Sequence, residues 1–280
     1  MLKVSLVLQT ENILELANGL KAKGESFAVA TVVRTVAATA AKAGAKALIG
    51  SNGAISGGWI GGGCARSAVL RAAAACLADG QPRLLSVQPE DVLLAQGLRA
   101  GEAKEGVQFV KNACPSKGTM DIFIEPYLPR PHLAVYGASP VALAVAELAS
   151  RMGFCVTVAA PKGEHEKFMP VDHITEDFNL TDGPNPITYI VVATQGSGDF
   201  VALTAAMNTA ATYIAFVASQ KKATILKEKL VASGISDNRL TSLHAPAGLN
   251  LGAITPDEIA FSIVGELIKL RRQGHRGAVG

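Results

Sequence analysis

His132-Leu-Ala-Val-Tyr-Gly137-Ala-Ser139-Pro140-Val-Ala142 is the stretch that decides the fold. An apolar run at His132–Tyr136 meets the turn Gly137-Ala138-Ser139-Pro140, and apolar residues then recur at helical spacing over Val141–Met152. A second apolar run follows at Phe154–Ala159, with others at Tyr189–Ala193 and Tyr213–Val217, each leading into a helical pattern. Strands alternating with helices predict a doubly wound parallel sheet. The final helix is signalled by Thr255 as N-cap, Pro256 at the first position and Glu258 completing a capping box.

Upstream the pattern is different. Helical periodicity over Glu11–Lys23 precedes a β-branched run at Phe27–Val36. Short apolar stretches at Ala45–Ile49 and Ala54–Ile60 flank Ser51-Asn52-Gly53, a hairpin signal in which Asn52 and Gly53 are both expected at positive φ. Further strands are predicted at Leu84–Val87, Val107–Val110 and Thr119–Glu125. Pro126, Pro129 and Pro131 then punctuate the chain. The organisation expected is an N-terminal α+β domain with a mixed sheet over 1–128 and a C-terminal Rossmann-like domain over 129–280.

Gly57-Gly58-Trp59-Ile60-Gly61-Gly62-Gly63-Cys64 stands between the hairpin and an alanine-rich helical run. Glycines let a ligand approach the backbone, and a helix N-terminus favours an anion, whether a phosphate or the thiolate of Cys64. The competing reading is a tight strand-to-helix turn with a buried structural cysteine. Cys76 and Cys155 fall on apolar faces and read as core filler. Cys114 instead stands in the turn-rich Asn112-Ala113-Cys114-Pro115-Ser116-Lys117-Gly118, a thiol beside a lysine.

Composition narrows the function. The 280 residues are 49% hydrophobic and 5% aromatic, with a formal charge of +3. Arg271, Arg272 and Arg276 in the tail account for that excess, so no basic stripe is left for nucleic acid and the tail is expected to fray. No apolar run reaches membrane-spanning length and no leader pattern opens the chain, so the expectation is a cytoplasmic protein without membrane contact. Four cysteines spaced 12, 38 and 41 residues apart fit neither a zinc ribbon nor a disulfide scaffold. An aliphatic surface on a neutral body makes homo-oligomerisation an expectation.

The Gly137 turn is a degenerate dinucleotide fingerprint. Ser139 replaces the glycine that admits a pyrophosphate, and Ala159-Ala160-Pro161 stands where an acid should meet a ribose. NAD(P) binding, and with it a nicotinamide-dependent oxidoreductase, is disfavoured. Two other loops could hold a phosphate. Ser219-Gln220-Lys221-Lys222 opens a helix and reads equally as a solvated lysine face, while Thr194-Gln195-Gly196-Ser197-Gly198-Asp199 also reads as a plain loop ending in a cap at Asp199.

Four blocks together resemble the XdhC/CoxI family of xanthine dehydrogenase accessory proteins. They are Ala30-Thr31-Val32-Val33-Arg34 with Lys42–Lys46, Ile60–Cys64, Cys114 with Gly118–Pro126, and Ala245–Ala253 followed by Thr255–Ala260. The Trp59–Ala65 version is closer to the carbon monoxide dehydrogenase branch. The chain departs from the family's pattern after Arg34, at Ala65 and at Ser197. The resemblance implies a maturation factor without turnover of its own. Such a factor binds the molybdenum cofactor (molybdopterin, with or without a cytidine dinucleotide) while a cysteine desulfurase installs its terminal sulfur, then delivers it to an apo molybdenum hydroxylase. Candidate cofactor-binding residues are Gly61, Gly62, Gly63, Cys64, Cys114, Arg34, Lys46, Gly137, Ser139, Ser219 and Lys221, with Cys64 and Cys114 as soft contacts to the metal. A persulfide carried on Cys64 is the alternative chemistry.

Overall fold

The computed structural model describes residues 13–115, 117–180 and 187–276, without the side chains of Cys64, Ile187 and 274–276. It contains two compact units, the first ending at Pro129 and the second spanning Arg130–Gln273.

The first unit is a mixed seven-stranded sheet. A helix over residues 13–22 (α1) precedes β1 (Phe27–Val36), β2 (Lys46–Gly50) and β3 (Ile55–Gly58). After α2 (Gly63–Asp79) come β4 (Arg83–Gln88), α3 (Glu90–Ala95), β5 (Ala103–Lys104), β6 (Val107–Lys111) and β7 (Thr119–Tyr127). The spatial order is β3-β2-β1-β7-β4-β6-β5, with β4 and β6 parallel and the other pairs antiparallel.

Side-chain alternation gives the sheet two unlike faces. Ala28, Ala30, Val32, Ile122 and Ile124 point to the α2 side, where Ala68, Val69, Ala72, Ala73 and Cys76 complete an aliphatic core. Phe27 points the other way, stacks on Tyr127 at 5.0 Å, and packs with Ile13 of α1 and Leu48. The hairpin between β2 and β3 corrects the expected turn. Gly53 alone is left-handed, and Asn52 turns its Oδ1 to accept from the Ala54 N–H at 3.0 Å. The Gly53 N–H donates to the Gly50 carbonyl at 3.0 Å and the Gly50 N–H to the Ala54 carbonyl at 2.9 Å, so the loop has three residues and needs only one of them left-handed.

The second unit comprises β8 (His132–Tyr136), α4 (Pro140–Arg151), β9 (Cys155–Ala159), a 3₁₀ turn at Lys162–Lys167, β10 (His173–Thr175) and β11 (Ile187–Val192). It continues through α5 (Asp199–Met207), β12 (Tyr213–Phe216), α6 (Gln220–Ala232), α7 (Asp237–Leu240), β13 (Leu243–His244) and α8 (Pro256–Arg276). Its six strands are all parallel in the order β10-β9-β8-β11-β12-β13. That is the doubly wound Rossmann order, whose direction reverses between β8 and β11.

One face of this sheet packs on α4 and α8 through Val145, Ala149, Ile263 and Leu267, the other on α5 and α6 through Leu203, Ala206 and Leu230. The continuous burial of Leu133–Tyr136 follows from this double cover. The expected fraying at Arg271 is corrected. Its guanidinium donates to the Met152 carbonyl at 3.1 Å and lies 4.8 Å over the Phe154 ring, which holds that turn of α8 on the domain.

Candidate functional site

In the first unit the glycine run forms the entry to α2. Gly61 and Gly63 are left-handed, with φ of 103° and 54°. The N-cap is Gly62, with φ −108° and no side chain to cap the helix. Its backbone is one any residue can adopt, and a Cβ built there would meet nothing within 4 Å. Neither torsion nor packing within the unit therefore requires glycine at 62. The first turn of α2 also carries no acidic residue to offset the partial positive charge of its N–H groups. By contrast α4, α6 and α7 are all capped by serine.

The Cys114 loop is fixed by Asn112. Its Oδ1 accepts from the Cys114 N–H at 3.0 Å, and its Nδ2 donates to the Gly118 carbonyl at 2.6 Å. Cys114 is exposed. Lys117, the lysine expected beside the thiol, instead pairs with Asp91 at 3.0 Å. Gly118 lies so close to segment 37–41 that a Cβ would sit 2.2 Å from the Ala38 carbonyl. Gly61 approaches the same segment, where a Cβ would lie 3.8 Å from Ala40 and 3.6 Å from Met120. The glycine turn and the cysteine loop thus share one neighbour at one end of the sheet. The Cys64 side chain lies outside the described residues.

Arg34 and Lys46 do not join them. A bulge between Val32 and Arg34 places Arg34 level with Asp121, and its Nε donates to the Asp121 carboxylate at 2.5 Å. Asp121 lies between Met120 and Ile122, both of which face α2, so this ion pair occupies the opposite face. Ser86 donates to the same carboxylate at 2.6 Å, and Gln88 donates to Ser86 at 2.7 Å. Lys46 donates to Thr31 at 2.8 Å, also away from α2. Both cations are removed from the glycine cradle by strand parity, which needs the register to be seen.

In the second unit the fingerprint turn is occupied by its own chain. A Cβ on Gly137 would lie 2.7 Å from the Ala193 carbonyl, so this glycine serves the contact between β8 and the end of β11. Ser139 caps α4, its Oγ accepting from the Ala142 N–H at 3.2 Å, while Pro140 removes another donor. Gly137 and Ser139 therefore act in the fold, and the turn offers a pyrophosphate little. The cavity beside it is about 310 Å³ and is walled mainly by Pro140, Val141, Ala193, Val217, Ile254 and Ile259.

Two larger cavities adjoin it along the carboxyl edge of the sheet. One of about 700 Å³ lies between residues 217–220 and the 246–253 loop, sharing Val217 and Ile259 with the first. The other, about 500 Å³, runs between α5 and α6 and shares Ser219 with the second. Ser219 is the N-cap of α6, and Lys221 lines the α5–α6 groove. The loop at 194–199 is also corrected: Gly198 is the N-cap, while Asp199 is the first helical residue and turns back into the loop. Asp199 accepts from Thr194, from the Gly196 N–H at 2.9 Å, and from Lys222 of α6. Burial pushes its carboxyl up, but the Lys222 ammonium and these hydrogen bonds outweigh burial and hold it below the usual carboxylate range.

Glu266 was hidden in the regular pattern of α8. It accepts from the Tyr213 hydroxyl and from the Gly248 N–H (3.0 Å), which anchors the 246–253 loop. Among the described residues no group of three His, Cys, Asp or Glu side chains is placed to hold a metal ion, and no helix is long and apolar enough to cross a membrane.

Residues 133–267 match the XdhC Rossmann domain, and residues 20–88 match the XdhC and CoxI family. The chain belongs to the XdhC/CoxI family. Membership brings a general accessory role connected with the molybdenum cofactor. The chain is 28% identical over 274 residues to the uncharacterized protein YqeB of Escherichia coli K12, covering 95% of this chain and 47% of that protein. It thus spans about half the length of this curated relative. A solved structure from Bacillus halodurans, described as a xanthine dehydrogenase, is 20% identical at a TM-score of 0.46, covering 95% of this chain and 97% of that one. In this XdhC/CoxI chain the glycine–cysteine turn falls inside the 20–88 match, and the 246–253 loop falls inside the 133–267 match.

Proposed function

We propose that this XdhC/CoxI protein holds the molybdenum cofactor as cargo, keeps it while a cysteine desulfurase installs its terminal sulfur, and passes it to an apo molybdenum hydroxylase, with no turnover of its own. The observation that carries this reading is Gly62, a glycine at an uncapped helix N-terminus with open space in front of it and no internal reason to be glycine. A group from outside the chain gives it one. Molybdopterin is anionic through its phosphate and soft at its dithiolene. The amide end of α2 suits the first, and thiols suit the second. Cys114, exposed on a loop that shares segment 37–41 with the glycine turn, is available as such a thiol.

The test is co-purification from a molybdopterin-competent host, with bound pterin assayed after oxidation. The wild-type chain retains pterin, Gly62→Val lowers retention by blocking close approach, and Cys64→Ala lowers it more than Cys114→Ala. Undiminished retention in Gly62→Val and in both cysteine variants removes the cradle from the function. A persulfide detected by mass spectrometry on Cys64 after incubation with a desulfurase, with no pterin retained, favours a sulfur carrier instead.

A further inference from the structure

The second unit has the Rossmann strand order, yet its usual phosphate turn is closed. Pro140 carries no N–H, Ser139 takes up the Ala142 N–H, and the cavity beside them holds only about 310 Å³. The room and the polar groups lie one strand further on. The cavity of about 700 Å³ beyond β12 is within the range of small-molecule sites and is bordered by two carboxamides, Gln220 and Asn250. Each presents a donor and an acceptor side by side, the complement of the lactam or amidine edge of a nitrogen heterocycle. Gln220 belongs to the 217–220 side of the cavity and Asn250 to the 246–253 side. Ser219 lines both this cavity and the α5–α6 groove, whose lining includes Lys221 and Lys229. Neither lysine has an ion pair among the described residues, whereas Lys222 is engaged by Asp199.

We infer that this crevice binds a nitrogen heterocycle carrying a phosphate, with the ring between Gln220 and Asn250 and the negative charge directed to Lys221 and Lys229. The ligand site of this domain is thereby displaced from the β8–α4 turn to the β12–α6 side of the sheet. The inference rests on the cargo role proposed above, which supplies two ligands of this chemistry: a pterin phosphate, and the nucleotide of a dinucleotide form.

Calorimetric titration of the full chain with neopterin monophosphate, cytidine monophosphate and adenosine monophosphate tests it and separates the two sources. The expected result is one-to-one binding of the pterin probe or of a nucleotide probe. Asn250→Leu and Gln220→Leu weaken it by about tenfold each, as one lost hydrogen-bonding edge implies. Lys221→Glu with Lys229→Glu weakens it more at low salt than at high salt, while Ser139→Gly leaves it unchanged. The inference is overturned if no probe binds up to millimolar concentration, or if binding ignores Asn250 and Gln220 and responds to Ser139. Circular dichroism of each variant separates a lost site from a lost fold. Pterin retained from the host but indifferent to Asn250→Leu sinks this inference and leaves the cargo role standing. Probe binding that depends on Asn250, in a chain that retains no pterin from the host, does the reverse.

Discussion

Gly248 shows how one residue can hold a loop in place. Its φ is +88°, and a Cβ there would lie 2.3 Å from Ser262 Oγ and 3.0 Å from the Ile263 backbone nitrogen. Its own N–H is anchored by Glu266. Gly248→Ala therefore combines an unfavourable left-handed backbone with a clash against α8, and the expected loss is roughly 2–4 kcal/mol in chemical denaturation. An unchanged denaturation midpoint would show that the 246–253 loop moves freely. Gly62 is the opposite case, since substitution there is expected to leave stability nearly unaltered and to act on the cargo. Both glycines stand out in the sequence, but only their surroundings tell the structural one from the one facing open space.

Among the elements, α4 follows the Rossmann turn and α2 follows the proposed cradle. Ser139→Ala removes the α4 cap and should cost about 1 kcal/mol, whereas Ser139→Gly should cost only a few tenths. Ser139→Gly also restores the glycine of the dinucleotide fingerprint. NADH fluorescence is nonetheless expected to show no binding, because Pro140 still withholds an N–H and the neighbouring cavity still holds only about 310 Å³. Quenching or enhancement at micromolar NADH would mean that Ser139 alone had been closing the site. The strand β1, the helix α4 and the α8 capping box were legible because local patterns encode them. The box appears as read, Thr255 accepting from the Glu258 N–H at 3.3 Å and Glu258 from the Thr255 N–H at 3.0 Å. The strands β10 and β13 were not legible: three and two residues carry no periodicity, and they exist because β9 and β12 offer them an edge.

For the whole molecule, the titrating groups predict a stability plateau with two edges. Asp79, held down by Arg83, and Asp199 and Asp172, where hydrogen bonds outweigh burial, all have carboxyls below their ordinary range. The unfolded chain binds protons at these sites before the folded one does. Their contribution is thus full above about pH 4 and is lost as pH falls through the lower folded values. Burial raises the Tyr136 and Tyr213 hydroxyls, so the unfolded chain ionises first above about pH 10 and stability falls again. Scanning calorimetry across pH should show this plateau, and Asp199→Asn should make the acid edge shallower. An acid edge unchanged in Asp199→Asn would remove that carboxylate from the account.

Local order was decided by the chain itself. Apolar periodicity, glycine and proline punctuation and side-chain caps act within a few residues, so the two-part organisation, the parallel doubly wound half and the glycine–cysteine turn could be read from residues alone. Partnership was decided only by the fold. Arg34 meets Asp121 across 87 positions, Lys222 reaches Asp199 from the next helix, and Glu266 secures a loop 18 residues away. Such pairings depend on strand register and helix packing, which arise from burial summed over the whole core rather than from any short stretch of sequence.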